Sequence, residues 1–254
     1  MSTLAFAPMA DAALVTSWNY AVTLEWTDVT FTGTGGETFN DSTLVSWGAG
    51  GVGVAPVAGP TAAQSRSGVE ITDTPALGTV FTNGGFAPTN TVTHFNNAIL
   101  ASFATLNTAE LLTTLTLTPL TPVAGSDLGP FSTSFTVRFT ETRNTAPCGF
   151  TSTTVCDDIF VITLGDLDFA FVLDGVTYDV NIFETTQSLT ALSAGACARA
   201  GAPFPCVGFQ TPEGQATPAT FAFTINAALL PEPGILALLG LGLVGLGLAQ
   251  RKTR

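Results

Sequence analysis

Apolar residues alternate with polar ones through most of this 254-residue chain and rarely recur at helical spacing. The segment from Trp18 to Phe31 sets Tyr20, Val22, Leu24 and Trp26 on one face of a long strand. The same two-residue period predicts strands at Thr43–Trp47, Gly68–Ile71, Leu77–Thr82, Glu110–Leu120, Phe131–Thr142, Asp158–Leu164, Asp168–Leu173 and Val176–Glu184. Asp174-Gly175 marks a tight type I′ hairpin between the last two. No stretch before Pro231 has helical periodicity, and Gly48–Ser65, rich in glycine and alanine, reads as a flexible surface loop. Many short strands separated by turn residues predict an all-β fold, an antiparallel β-sandwich of jelly-roll type, over residues 14–210. Residues 211–230 read as a Pro/Ala/Thr-rich linker holding one last strand at Thr220–Ile225.

The alternation stops at the C-terminal end. Pro231, Glu232 and Pro233 precede an apolar run from Ile235 to Ala249 and the cations Arg251, Lys252 and Arg254. The prolines lack N–H donors and oppose helix upstream. Fifteen residues of helix span roughly 22 Å, short of a ~30 Å hydrocarbon core unless flanking residues snorkel. The order predicts a short transmembrane helix with its basic end in the cytoplasm and everything before Pro231 outside it. At the other end, residues 1–13 hold a short apolar stretch and Ala10-Asp11-Ala12, a small-x-small site. They read as the remnant of a signal peptide whose start lies upstream, with cleavage leaving a mature chain from about Leu14.

Charge narrows the partners. Setting aside Glu232, Arg251, Lys252 and Arg254 leaves 18 acids against 4 bases, no lysine and a net charge of about −14. Such a surface repels nucleic acid, so no nucleic-acid partner is expected. The four cysteines form two local pairs, Cys148 with Cys156 and Cys197 with Cys206. In an oxidising compartment each pair is expected to close a short loop, stabilising by about 2–3 kcal/mol. Zinc would need four ligands from these and one histidine without a CxxC spacing, and is set aside.

The tail resembles the PEP-CTERM sorting signal, carried by Pro231, Glu232, Pro233, the apolar helix and Arg251, Lys252 and Arg254. That resemblance implies recognition by an exosortase, a membrane-anchored intermediate, removal of the tail, and export to the surface or matrix of an exopolysaccharide-producing Gram-negative bacterium. The block Thr93-His94-Phe95-Asn96-Asn97, with Trp47-Gly48, Leu77-Gly78 and Cys156–Ile162, resembles the THxN family and its choice-of-anchor K surface domain. No activity follows from that second resemblance.

Two sets of residues are candidates for chemistry. Thr93, His94, Asn96 and Asn97 offer either a polar ligand site or a structural cluster, in which the asparagines cap a turn and His94 hydrogen-bonds across strands. A catalytic role for His94 has little support, because no GxSxG elbow is present. Asp157, Asp158, Asp166 and Asp168 are candidate calcium ligands, without EF-hand or RTX spacing. No other cofactor is expected. The chain is poor in histidine, lysine and arginine, so the expected function is a non-catalytic surface or matrix protein associated with exopolysaccharide. The rival is an exported carbohydrate-active enzyme or calcium-dependent glycan-binding module on the same scaffold.

Overall fold

The computed structural model describes residues 13–123, 127–163 and 168–228. They form strands β1 (Ser17–Thr32), β2 (Glu37–Asn40), β3 (Leu44–Gly48), β4 (Arg66–Thr72), β5 (Ala76–Phe81), β6 (Ala87–Phe95), β7 (Thr105–Thr121), β8 (Leu128–Thr140), β9 (Asp158–Thr163), β10 (Asp168–Leu173), β11 (Val176–Glu184) and β12 (Thr190–Ala191), the helix α1 (Ala194–Arg199), and strands β13 (Val207–Thr211) and β14 (Ala216–Ala227). Two seven-stranded sheets stack as a sandwich: β12-β13-β9-β8-β7-β1-β5 and β10-β11-β14-β6-β4-β3-β2. Every pairing between these strands is antiparallel.

The alternation explains the layers. In β7, Leu106, Ala109, Leu111, Thr113, Leu115 and Leu117 turn into the sandwich while Thr108, Thr114, Thr116 and Thr118 turn outward. Asp174 and Gly175 both have positive φ (48° and 81°), as a type I′ turn requires, and join β10 to β11. β9 is an exception: Asp158 to Ile162 are all buried, because Phe160 and Ile162 face the other sheet while Ile159 and Val161 are covered by α1.

Two expectations need correction. The described part of the expected linker, residues 211–228, is not a linker with one short strand. β14 runs from Ala216 to Ala227 between β11 and β6 in the middle of its sheet. A helix does precede Pro231: Ser193 caps α1, its Oγ accepting the Ala196 N–H at 3.2 Å, and Gly201 turns the chain away at φ 65°. The Gly48–Ser65 stretch is a largely exposed loop, as expected, and Arg66 ties it down: the buried guanidinium donates to Ala49 O (2.9 Å), and the Arg66 backbone exchanges hydrogen bonds with Val57 (2.8 Å each). Both expected disulfides are formed, Cys148–Cys156 and Cys197–Cys206. Residues 1–12 and 229–254, which carry most of the signal remnant and the whole transmembrane helix expectation, lie outside the described residues. Among the described residues no helix is long and apolar enough to cross a membrane.

Candidate functional site

β8 places Phe135, Val137 and Phe139 inward at every second residue, and Glu141 takes the next inward position. The β8–β9 register pairs Phe139 with Phe160 and Thr140 with Ile159, so one further step sets Glu141 opposite Asp158. The two carboxyls share a hydrogen bond. Trp47 on β3, in the facing sheet, donates Nε1–H to Glu141 Oε2 at 3.0 Å. Thr142 donates its backbone N–H to Asp158 Oδ1 at 2.8 Å. Asp158 Oδ2 has no other partner, so a proton between the acids satisfies it.

Burial governs the charge of this pair. It pushes the Glu141 carboxyl up to about 7, with Trp47 and Asp158 pulling down and Glu213 adding repulsion. Burial, then the Glu141 charge, holds Asp158 well above the usual carboxylate range. Glu213, in the turn from β13 to β14, is also raised by burial, against a hydrogen bond from Asn144 Nδ2.

His94 sits behind Trp47, fully buried among aromatic rings: Phe139 at 4.9 Å, Trp47 at 6.3 Å and Phe209 at 6.4 Å between centroids. Neither ring nitrogen has a partner, so the expected cross-strand hydrogen bond is absent. Burial without a partner lowers its pKa to about 3 and keeps the imidazole neutral. Thr93 is half-buried on the other face of β6. Asn96 Nδ2 donates to Thr211 O (2.8 Å), and Asn97 Nδ2 to Arg66 O (2.8 Å), tying the end of β6 to β13 and β4.

The four aspartates singled out by sequence do not converge. Burial raises the Asp157 carboxyl, but bonds from Thr153, Thr154 and Ser152 outweigh it and hold its pKa below the usual value. Asp157 is thus occupied by its own loop, while Asp158 faces Glu141. Asp168 is exposed on β10 in the other sheet, accepting from Asn181 at 3.2 Å. Asp166 lies outside the described residues. Among the described residues no three His, Cys, Asp or Glu side chains group as metal ligands.

Glu141 also lines an open cleft of about 560 Å³ at this end of the sandwich. Its walls are the end of β1 (Thr32), the segment before β7 (Ile99, Leu100, Phe103), the chain after β8 (Arg143, Asn144, Thr145) and Arg199 at the end of α1. Gly33, at φ 86°, lets the chain leave β1 against Ala104, where a Cβ would come within 3.2 Å of backbone. A second recess, of about 420 Å³, is lined by Phe131, Phe169 and Ile182 with Asp168 its one charge among the described residues. Sequence reasoning passed over Glu141, Glu213, Arg143 and Arg199. The available signal was a carboxylate continuing the inward register of Phe135, Val137 and Phe139.

Fold and cleft together define an all-β sandwich protein with a polar recess at one end and two disulfides beside it. The tail adds the route: the PEP-CTERM protein-sorting motif matches residues 230–252. The motif implies an exported protein, transiently anchored in the membrane and processed by an exosortase. No curated protein matches the chain.

Proposed function

We propose that the sandwich is a non-catalytic domain that binds exopolysaccharide at the cell surface or in the extracellular matrix once exosortase processing has delivered it there. The 560 Å³ cleft carries this reading. It falls in the ~300–1,000 Å³ range of small-ligand sites and combines apolar walls with a few hydroxyl, amide and charged groups. Ile99, Leu100 and Phe103 suit the C–H face of a sugar ring, and Thr32, Asn144 and Thr145 suit its hydroxyls. The resemblance of Thr93–Asn97 to the THxN and choice-of-anchor K surface proteins supports the same reading.

The raised Glu141 favours a second reading, a hydrolase with that side chain as general acid. Its partner argues against this. Glycoside hydrolysis needs two carboxyls about 5 to 9.5 Å apart on either side of the scissile bond, whereas Glu141 and Asp158 touch and Asp158 is sealed from solvent. A glycan array probed with the full chain, with and without a calcium chelator, followed by product analysis of each bound glycan, tests both. Binding without turnover, insensitive to chelator, is the expected result. Released sugar sinks the non-catalytic assignment, a blank array sinks exopolysaccharide binding, and loss with chelator transfers the ligand role to a calcium site.

A further inference from the structure

Arginine is scarce in this protein and unevenly placed. Before Pro231 there are four: Arg66, Arg138, Arg143 and Arg199. Arg66 is buried and spent on backbone carbonyls, and Arg138 sits on the outward face of β8. The remaining two, Arg143 and Arg199, line the same cleft. They come from separate elements, the chain after β8 and the end of α1, brought together because Thr140 Oγ1 donates to the Arg199 carbonyl at 3.3 Å. The Cys197–Cys206 disulfide, within and just beyond α1, fixes the second. In a chain with 19 acids, two exposed arginines lining one recess make a local positive site inside a negative field.

We infer that this cleft recognises a carboxylate-bearing sugar, a uronate unit of an acidic polysaccharide, with Arg143 and Arg199 holding the carboxylate. The inference rests on the polysaccharide reading and adds a ligand class and the residues that select it. Guanidinium groups match a planar carboxylate with paired N–H donors. Glu141, in the same wall and held largely protonated near pH 6 by burial, adds no repulsion there and suits the hydroxyls of the sugar, while a tetrahedral sulfate lacks the planar match that a carboxylate offers a guanidinium. Ile99, Leu100 and Phe103 supply the apolar floor for the ring. Both arginines are exposed and lie outside the packed core, so their replacement leaves the fold intact.

The test uses the full chain with three probes: oligogalacturonate, its methyl ester, and dextran sulfate, measured by calorimetry near pH 6 at fixed salt. Oligogalacturonate is expected to bind, its ester about tenfold more weakly because each charge-assisted pair is lost, and dextran sulfate more weakly than oligogalacturonate. Arg143→Gln and Arg199→Gln each weaken oligogalacturonate several-fold and together abolish it, whereas Arg138→Gln leaves it unchanged. Thermal melts of all four variants confirm that they fold like the parent. Equal binding of the ester, equal or tighter binding of dextran sulfate, or an unchanged double variant overturns carboxylate recognition here. Polysaccharide binding survives those outcomes, and it falls only if neither these probes nor neutral glycans bind.

Discussion

The two halves of the sandwich interior are built around one tryptophan each, and the difference between them locates the site. Trp18 lies in the half formed by β1, β5, β7, β11 and β14, edge-on to Tyr178 (5.0 Å) and Phe171 (5.6 Å). Its Nε1–H goes to the Thr82 hydroxyl at 2.9 Å, and the Tyr20 and Tyr178 hydroxyls bond backbone groups at 2.7 and 2.8 Å. Every polar atom named there is satisfied by a neutral partner. Trp47, in the half formed by β3, β4, β8, β9 and β13, bonds a carboxyl and stacks on an unpartnered histidine. Buried polar atoms of Trp26, His94, Asn96 and Glu213 lack partners in this second half, against Asn90 Oδ1 beside Val22 of the first. Unsatisfied buried groups cost about 1–3 kcal/mol each, so this half carries the larger burden. Both disulfides sit beside it. One half is packed for stability, and the other is held together while keeping titratable groups next to an open cleft.

The largest test of that contrast is Trp18→Ala. Emptying the satisfied half is expected to cost about 3–5 kcal/mol in denaturant unfolding, and the loss is expected to be equal at pH 5 and pH 8. A pH-dependent loss would show that the two halves are not insulated. Smaller and of opposite sign is His94→Leu, which removes two orphaned ring nitrogens from an aromatic pocket and is expected to stabilise by about 1 kcal/mol. It also alters the acid side of the profile. With the folded pKa near 3 and the unfolded value 6.5, the unfolded state binds more protons between them. Stability from this group is therefore lost as pH falls from 6.5 toward 3, and the variant removes that loss.

Glu141→Gln gives the smallest change near pH 5, where the carboxyl is protonated in the native state, and the most diagnostic slope above it. Its carboxyl moves from 4.5 unfolded to about 7 folded, so the native state holds the extra proton and stability falls as pH rises through that interval. The groups facing it are Asp158, Glu213 and Trp47, with neutral His94 behind. The amide keeps an acceptor for Trp47 and cannot ionise, so melting curves between pH 5 and 8 are expected to flatten. An unchanged slope would place the titration elsewhere.

Alternation made β1, β7, β8, β10 and β11 legible, because apolar side chains recur at every second position, while β9 was legible as a short apolar run buried on both faces. β2, β12 and β13 escaped, being short with little apolar contrast. β14 is instructive: Pro218 argues against an interior strand, since it lacks an N–H. There, however, β14 is bonded on one side only, because Thr93 of β6 pairs with Pro218 while β11 reaches only as far as Phe221. The cleft was least legible. Glu141, Arg143 and Arg199 are far apart in sequence or sit among turn residues, and only the pairing of β8 with β9 and the capping of α1 bring them to one place. The candidate aspartates were chosen for proximity along the chain, which a strand–loop–strand path then divided between two sheets.

The position of β14 governs the timing of biogenesis. It is the last strand among the described residues and fills the slot between β6 and β11, which otherwise have no bonded partner on those edges. A chain threaded outward N-terminus first leaves that slot empty until Ala227 has emerged. The sorting motif begins at residue 230, a tether of roughly 10 Å at full extension. Closure of the sheet and arrival of the processing signal are thus almost one event, and the protease is presented with a tail whose adjoining strand has just locked.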